Sequence, residues 1–220
     1  MIDIIIPVYN GEKFIAQAIE SILNQTFNNF TVIIVDDGSQ DSTVEEIERY
    51  MKNDSRIVLF KNPHQGQPKT INKGLLETSN KYICFLDADD LWLPTKLERQ
   101  IDFLENNTQT DVLFTMIQEF EDFDKGTLQK YDARPHPMKG VQKSTIMFRS
   151  TLLDQFGLFD ENQYMAVFIN WYRQLIRQGV QEHILDKVLV KRRVHDSNFT
   201  KTINRKDYLK VIKKHLMTKS

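Results

Sequence analysis

Three carboxylates stand within four residues at Asp87-Ala-Asp-Asp90, directly after the apolar run Tyr82–Leu86. Acids this close repel one another unless a cation or a hydrogen-bond network compensates them. Hard oxygen ligands of this kind suit Mg²⁺ or Mn²⁺, which commonly take one or two carboxylates and complete their shell with substrate phosphates and water. A solvated turn with helix-capping aspartates is the plain alternative for Asp-x-Asp alone. A second acidic stretch, Asp36-Asp37-Gly38-Ser39 after the run Thr31–Val35, favours the metal reading. The Asp36-Asp37 pair offers acceptors to a nucleobase N–H or to ribose hydroxyls. It also fits a turn in which Gly38 takes the positive φ while Ser39 to Ser42 cap the next helix. No Gly-x-Gly-x-x-Gly follows the first apolar run, and the chain holds no Gly-x-x-x-x-Gly-Lys-Ser/Thr, which counts against a dehydrogenase or a P-loop enzyme.

Such residues act together only if the fold gathers them. Four continuous apolar runs, Ile4–Val8, Thr31–Val35, Arg56–Phe60 and Tyr82–Leu86, read as strands buried on both faces of a parallel sheet. Helical spacing lies between them. Phe14, Ile15, Ala18, Ile19, Ile22 and Leu23 mark the first helix, Ser42-Thr43 with Glu45 and Glu46 opens the second, and Lys69–Thr78 forms the third. The alternation predicts right-handed βαβ units in a doubly wound, mostly parallel α/β sheet, where ligands bind beyond the carboxyl ends of the strands. Pro7-Val-Tyr-Asn-Gly11, Asp36-Asp37 and Asp87-Ala-Asp-Asp90 all fall at such ends. Beyond them, Pro94 opens a helix carrying Leu97, Ile101 and Leu104, and Val112–Ile117 reads as a strand. Residues 120–143 read as a surface excursion, Ser144–Phe148 as a strand, Phe168–Gln178 as a helix, and the chain from about Arg205 as a basic C-terminal helix. One domain over 1–220 is the economical organisation.

Composition adds exclusions. A net charge of -1 over 220 residues gives no bulk case for nucleic acid or an anionic membrane. The lone Cys84 sits in an apolar run and reads as a buried thiol in a reducing compartment. The N-terminal run lacks a basic n-region, and no stretch approaches the ~20 apolar residues that span a bilayer. A cytoplasmic protein is therefore expected. The run Arg205–Leu216, with Leu209, Ile212 and Leu216 on one face and lysines on the other, fits a helix docked on its own domain, a membrane surface or a second subunit.

Four stretches together, Ile4-Ile-Ile-Pro-Val-Tyr-Asn-Gly11, Ile22-Leu-Asn-Gln-Thr-Phe27, Val32-Ile-Ile-Val-Asp-Asp-Gly-Ser39 and Phe85-Leu-Asp-Ala-Asp-Asp-Leu-Trp92, closely resemble the family 2 glycosyltransferases of GT-A fold. The resemblance is dense over residues 1–105, the expected nucleotide-sugar half, and looser over the acceptor half at 106–220. It implies transfer of a hexosyl unit from a UDP-sugar to a hydroxyl of a glycan, lipid-linked or protein acceptor, with inversion. By this resemblance Pro7 and Tyr9 flank the base, and Asp37 with Asp36 hydrogen-bonds it. Lys69 and Asn72, in Gly66-Gln-Pro-Lys-Thr-Ile-Asn-Lys-Gly74, border the ribose and phosphates. Asp87 contacts ribose, diphosphate or metal, and Asp89 is the principal ligand of Mg²⁺ or Mn²⁺. His195, in Val190-Lys-Arg-Arg-Val-His195, reaches the metal or closes over the diphosphate with Arg192 or Arg193. A basic residue often found where Ile71 stands is missing, and Lys69 is the substitute the sequence offers.

The departure from the pattern concerns the base. Inverting members need a carboxylate to take the proton of the attacking hydroxyl. It normally lies in a Glu-Asp-x-Asp-Trp-like cluster, but here the stretch is Ala166-Val-Phe-Ile-Asn-Trp-Tyr-Arg173, and 162–181 contain no Asp or Glu. The base then comes from elsewhere, with Asp160 and Glu161 nearest; or the acceptor needs little assistance; or the chain is a nucleotide-sugar-binding protein that acts with a partner. Trp171 and Tyr172 read as helix core or as a stacking surface for a sugar.

Overall fold

In the computed structural model, which describes residues 1–121, 134, 136–163 and 166–195, the four apolar runs form β1 (Ile2–Val8), β2 (Phe30–Asp36), β3 (Ile57–Lys61) and β4 (Tyr82–Phe85). They pair in parallel in the order β3-β2-β1-β4. The runs are continuous because both faces are covered. Ile2, Ile4 and Ile6 bury against Ile15, Ala18, Ile19 and Ile22 of α1 (Ile15–Leu23) and Ile47 of α2 (Thr43–Met51). On the opposite face Ile5, Ile33 and Val35 bury with Ile71 and Leu75 of α3 (Gln67–Leu76). A Cβ on Gly74 would stand 2.6 Å from Ile5 Cγ2, so its lack of a side chain lets α3 settle directly on β1.

Beyond β4 the sheet becomes mixed. β5 (Leu91–Trp92), α4 (Lys96–Asn106), β6 (Val112–Glu121), β7 (Met138–Lys139), β8 (Met147–Arg149), α5 (Thr151–Phe156), α6 (Val167–Arg177) and β9 (Glu182–Val194) follow in chain order. The sheet continues β4-β8-β6-β9-β5, with β7 paired to β6. β8 runs antiparallel to both neighbours, β9 is parallel to β6 across a bulge at Thr115–Ile117, and β5 is antiparallel to β9. The parallel sheet expected from the first half thus holds for β1–β4, while the second half carries antiparallel pairs.

The strand expected at Ser144–Phe148 is divided. Lys143–Thr145 form a 3₁₀ turn, and β8 begins only at Met147. The Ser144 and Thr145 carbonyls accept from the Trp92 indole at 2.9 Å and the Gln100 amide at 3.0 Å, rather than from a neighbouring strand. Trp171 belongs to the core: it is 3% exposed, packs edge-on to Phe148 and donates to the Gly157 carbonyl. Tyr172 packs edge-on to Phe114 and donates its hydroxyl to Glu182. The expected helix from Arg205 lies outside the described residues. None of the described helices is long and apolar enough to cross a membrane.

Candidate active site

The loops after β1 and β2 are stitched together. Asn10, left-handed at φ 49, donates its N–H to Ser39 Oγ and accepts the Gln40 N–H, while the Gly11 N–H donates to Thr43 Oγ1. Asn is one of the few side chains that tolerates this backbone region. The Asp36 carboxylate closes the turn by accepting the Gly38 and Ser39 N–H groups, which is the turn role open to this pair. Asp37 is differently placed. Its N–H donates to the Val8 carbonyl, and its carboxylate accepts the Gln65 and Gly66 N–H groups at 2.9 and 3.0 Å. His64 Nδ1 lies 2.9 Å from Asp37 Oδ2, and its ring stacks on Tyr9. Tyr9 is 44% exposed at the mouth of the site, whereas Pro7 is buried inside β1.

The second acidic cluster flanks the same β1 loop: Ala88 Cβ lies 3.9 Å from where a Gly11 Cβ would stand. Each of its three acids has a different compensation. Asp87 is ion-paired to Lys143 at 2.6 Å. Asp89 Oδ2 meets His195 Nε2 at 3.0 Å. Burial pulls the Asp89 carboxyl upward, but the His195 hydrogen bond and charge, helped by Lys143, hold it below its ordinary value. Asp90 is buried and accepts from the Ser144 hydroxyl and the Arg193 N–H. Burial, reinforced by the charges of Asp89 and Asp87, drives Asp90 well above the usual carboxylate range.

His195 is held from behind. Its ring lies 4.6 Å from Phe14, and Phe14 also carries the Arg193 guanidinium at 4.8 Å. Arg193 is 1% exposed; its Nε donates to the Asp89 carbonyl and its Nη2 to Gln17. Arg192 pairs with Glu119. The end of β9 thus brings His195 onto Asp89 across a separation of 106 residues.

The remaining expected residues lie along or opposite α3. Lys69 is exposed, and among the described residues no acid pairs with it. Asn72 is buried and locks α3 to the chain before α6: its amide donates to the Phe159 carbonyl and to Glu161, and its oxygen accepts the Phe159 N–H. Asp160 is exposed, and the Asn162 N–H and Gln163 amide hold its carboxyl below the ordinary range. Where acids are expected at the start of α6, Val167 is buried in the apolar core at 6% exposure, and the partly buried Phe168 packs against Phe159. Asn170 donates to Gln163, and among the described residues its buried Oδ1 has no partner. Two site residues escaped the sequence reading, His64 and Lys143. Neither carries a local signal, since each becomes a site residue only through the loop that presents it to an acid distant in sequence.

The donor set at Asp89 and His195, a carboxylate oxygen beside an imidazole nitrogen, suits Mn²⁺ or Mg²⁺. Among the described residues no three His, Cys, Asp or Glu side chains converge, so the fit is to an ion that completes its shell with phosphate and water.

The site thus joins a parallel half with acids at its strand ends to a mixed half that returns a histidine onto the second acid. The chain belongs to glycosyl transferase family 2, whose model matches residues 3–174. An uncharacterized glycosyltransferase of Methanocaldococcus jannaschii is 30% identical, over 97% of this chain and 75% of its own length. One of Rickettsia typhi is 32% identical over 92% of this chain and 66% of its own. S. aureus TarS in complex with UDP-GlcNAc shares the fold with a TM-score of 0.75 at 21% identity, over 96% of this chain and 64% of that one. The mannosyltransferase PcManGT of Pyrobaculum calidifontis, in complex with GDP-Man and Mn²⁺, does so at 0.72 and 16%, over 90% and 58%.

Proposed function

We propose that this chain transfers a hexosyl unit from a UDP-sugar to an acceptor hydroxyl with inversion, assisted by Mg²⁺ or Mn²⁺. The observation that carries the proposal is the meeting of Asp89 and His195, 3.0 Å apart beside Asp87, at the carboxyl end of the parallel sheet. A TarS structure holding UDP-GlcNAc and a PcManGT structure holding Mn²⁺ support the choice of donor and ion. In this reading Tyr9 offers its ring to the base and Asp37 accepts a ring N–H from uracil. Asp87 faces the ribose or diphosphate, and Asp89 and His195 hold the ion.

In the reaction the bond from the anomeric carbon to the β-phosphate oxygen breaks, and its electron pair passes to UDP. The acceptor oxygen bonds to that carbon from the opposite face as its proton passes to a carboxylate, for which Asp160 and Glu161 are the candidates. The bound ion supplies Lewis-acid relief of the charge gathering on the diphosphate. Asp160 and Glu161 are the carboxylates nearest in sequence to the vacant base position. Glu161 is kept in place by the Asn72 amide at 3.0 Å.

A second reading, a nucleotide-sugar-binding protein of low turnover that acts with a partner, is favoured by one observation: Val167 is buried in the core and Phe168 packs against it where the family pattern has acids. Release of UDP from a panel of UDP-sugars, with and without acceptor, separates the two. Turnover supports the transferase. Binding without turnover supports the second reading.

A further inference from the structure

We propose that Lys143 binds the donor diphosphate, taking the place of the basic residue that Gly66–Gly74 lacks at Ile71; the inference rests on the UDP-sugar reading above. Ile71 is 1% exposed in the core under α3, so no cation reaches the site from that position. Of the two lysines that flank Ile71, Lys69 is exposed and Lys73 pairs with Glu77. Lys143 is instead 8% exposed, and its ammonium sits 2.6 Å from Asp87 Oδ1.

An ammonium carries three N–H donors, and one carboxylate oxygen satisfies one of them. Among the described residues no second acceptor reaches Lys143 Nζ. Its remaining donors are open to a further partner, and a charge-assisted hydrogen bond favours an anion in that role. The surroundings define that partner. Asp87 and Asp89 are already compensated by Lys143 and His195, and Asp90 sits behind them on Ser144 and Arg193. An anion entering beside Asp87 can take these donors in place of water, and a nucleoside diphosphate is the anion this cleft is proposed to take. The 3₁₀ turn gives the position its stability. The Trp92 indole fixes the Ser144 carbonyl, and the Ser144 hydroxyl bonds Asp90, so the residue next to Lys143 is anchored on both sides.

Calorimetric titration of uridine and UDP into the wild type, Lys143→Met, Lys143→Arg and Lys69→Met, with and without Mn²⁺, tests this assignment. Lys143→Met should weaken UDP by about 10–100-fold, the worth of a charge-assisted hydrogen bond, and leave uridine unchanged. Lys143→Arg should recover most of the loss. Equal loss for uridine and UDP would mean that Lys143 only supports the fold, and an unchanged UDP affinity would mean that it meets no phosphate; either overturns the proposal. So does a larger loss in Lys69→Met than in Lys143→Met. Should Lys143→Met not fold, Lys143→Gln, which keeps a donor without the charge, carries the same comparison. If wild-type protein binds UDP no better than uridine, the donor reading itself fails, and that result is distinct from a failure confined to Lys143.

Discussion

The imidazole of His64 lies on the ring of Tyr9, centroids 4.2 Å apart and planes inclined by 27°, while its Nδ1 reaches Asp37 Oδ2 at 2.9 Å. A carboxylate only accepts, so Nδ1 carries the hydrogen. One planar ring thus makes both contacts assigned above to uracil, a stack on Tyr9 and an N–H donated to Asp37. A base seeking both must take the same space. Donor binding therefore carries the cost of displacing His64, whose side chain is 57% exposed and free to swing outward.

His64→Ala is accordingly expected to tighten UDP by a factor of about 5, the worth of one modest hydrogen bond and its stack. CDP should gain by the same factor, because the displacement cost is common to every base. Uracil should still be preferred over cytosine, whose N3 has no proton for Asp37. Isothermal titration of both nucleotides checks this, and weaker binding by His64→Ala would show that the imidazole supports the base instead.

The start of α6 gives a pair of contrasting substitutions. The sequence pattern alone suggests restoring acids at both Val167 and Asn170, but the structure separates them. Val167 is 6% exposed among apolar neighbours, so Val167→Glu buries a carboxylate and should cost several kcal/mol, on the order of 3. Asn170 is only half-buried and has an unpartnered oxygen. Asn170→Asp should fold and raise donor hydrolysis or transfer toward the 10²–10⁴-fold, roughly, that a general base contributes, without tightening UDP. Thermal melts and UDP-release rates on the two variants report the outcome. Equal stability of both, or no rate gain in Asn170→Asp, would count against this reading of the missing base.

Much of the parallel half was legible in the sequence, because strands covered on both faces must be apolar throughout and their ends then mark the site. The second half was harder for a physical reason. β9 reads Glu-His-Ile-Leu-Asp-Lys-Val-Leu-Val-Lys-Arg-Arg-Val, and only its last third is well buried, so charge interrupts any period. Lys143 looked like an ordinary surface lysine, and only the turn fixed by Trp92 and Ser144 reveals that it enters the acidic cluster. His195 and Asp89 were readable as separate candidates. That they meet follows from the antiparallel β5–β9 pairing, which no local pattern announces.

Lys96 makes stability depend on pH. It is fully buried, donating to Gln100 at 2.7 Å and standing 3.9 Å from the Trp92 ring centroid. Burial pushes its pKa down from 10.5 to about 8. Between those values the unfolded chain keeps a proton that the folded chain has released, so this residue makes stability rise with pH across the window. Below it the full cost of charging is present, on the order of 3 kcal/mol. Cys84 acts in the opposite sense, since burial raises its thiol to about 11, so the difference between variants is the cleaner quantity. The stability of Lys96→Met relative to wild type should be greatest near pH 7 and shrink toward pH 10 in urea titrations. A constant difference would mean that burial leaves the Lys96 pKa at its ordinary value.

The most direct measurement is calorimetric titration of UDP, with and without Mn²⁺, into wild-type protein and Asp89→Ala. Mn²⁺ should tighten UDP by about tenfold or more in the wild type, because Asp89 and His195 would hold an ion that offsets the charge of the diphosphate. In Asp89→Ala that increment should vanish while metal-free affinity is kept. The same UDP affinity with and without Mn²⁺ in the wild type, or an undiminished increment in Asp89→Ala, would contradict the metal-assisted donor site.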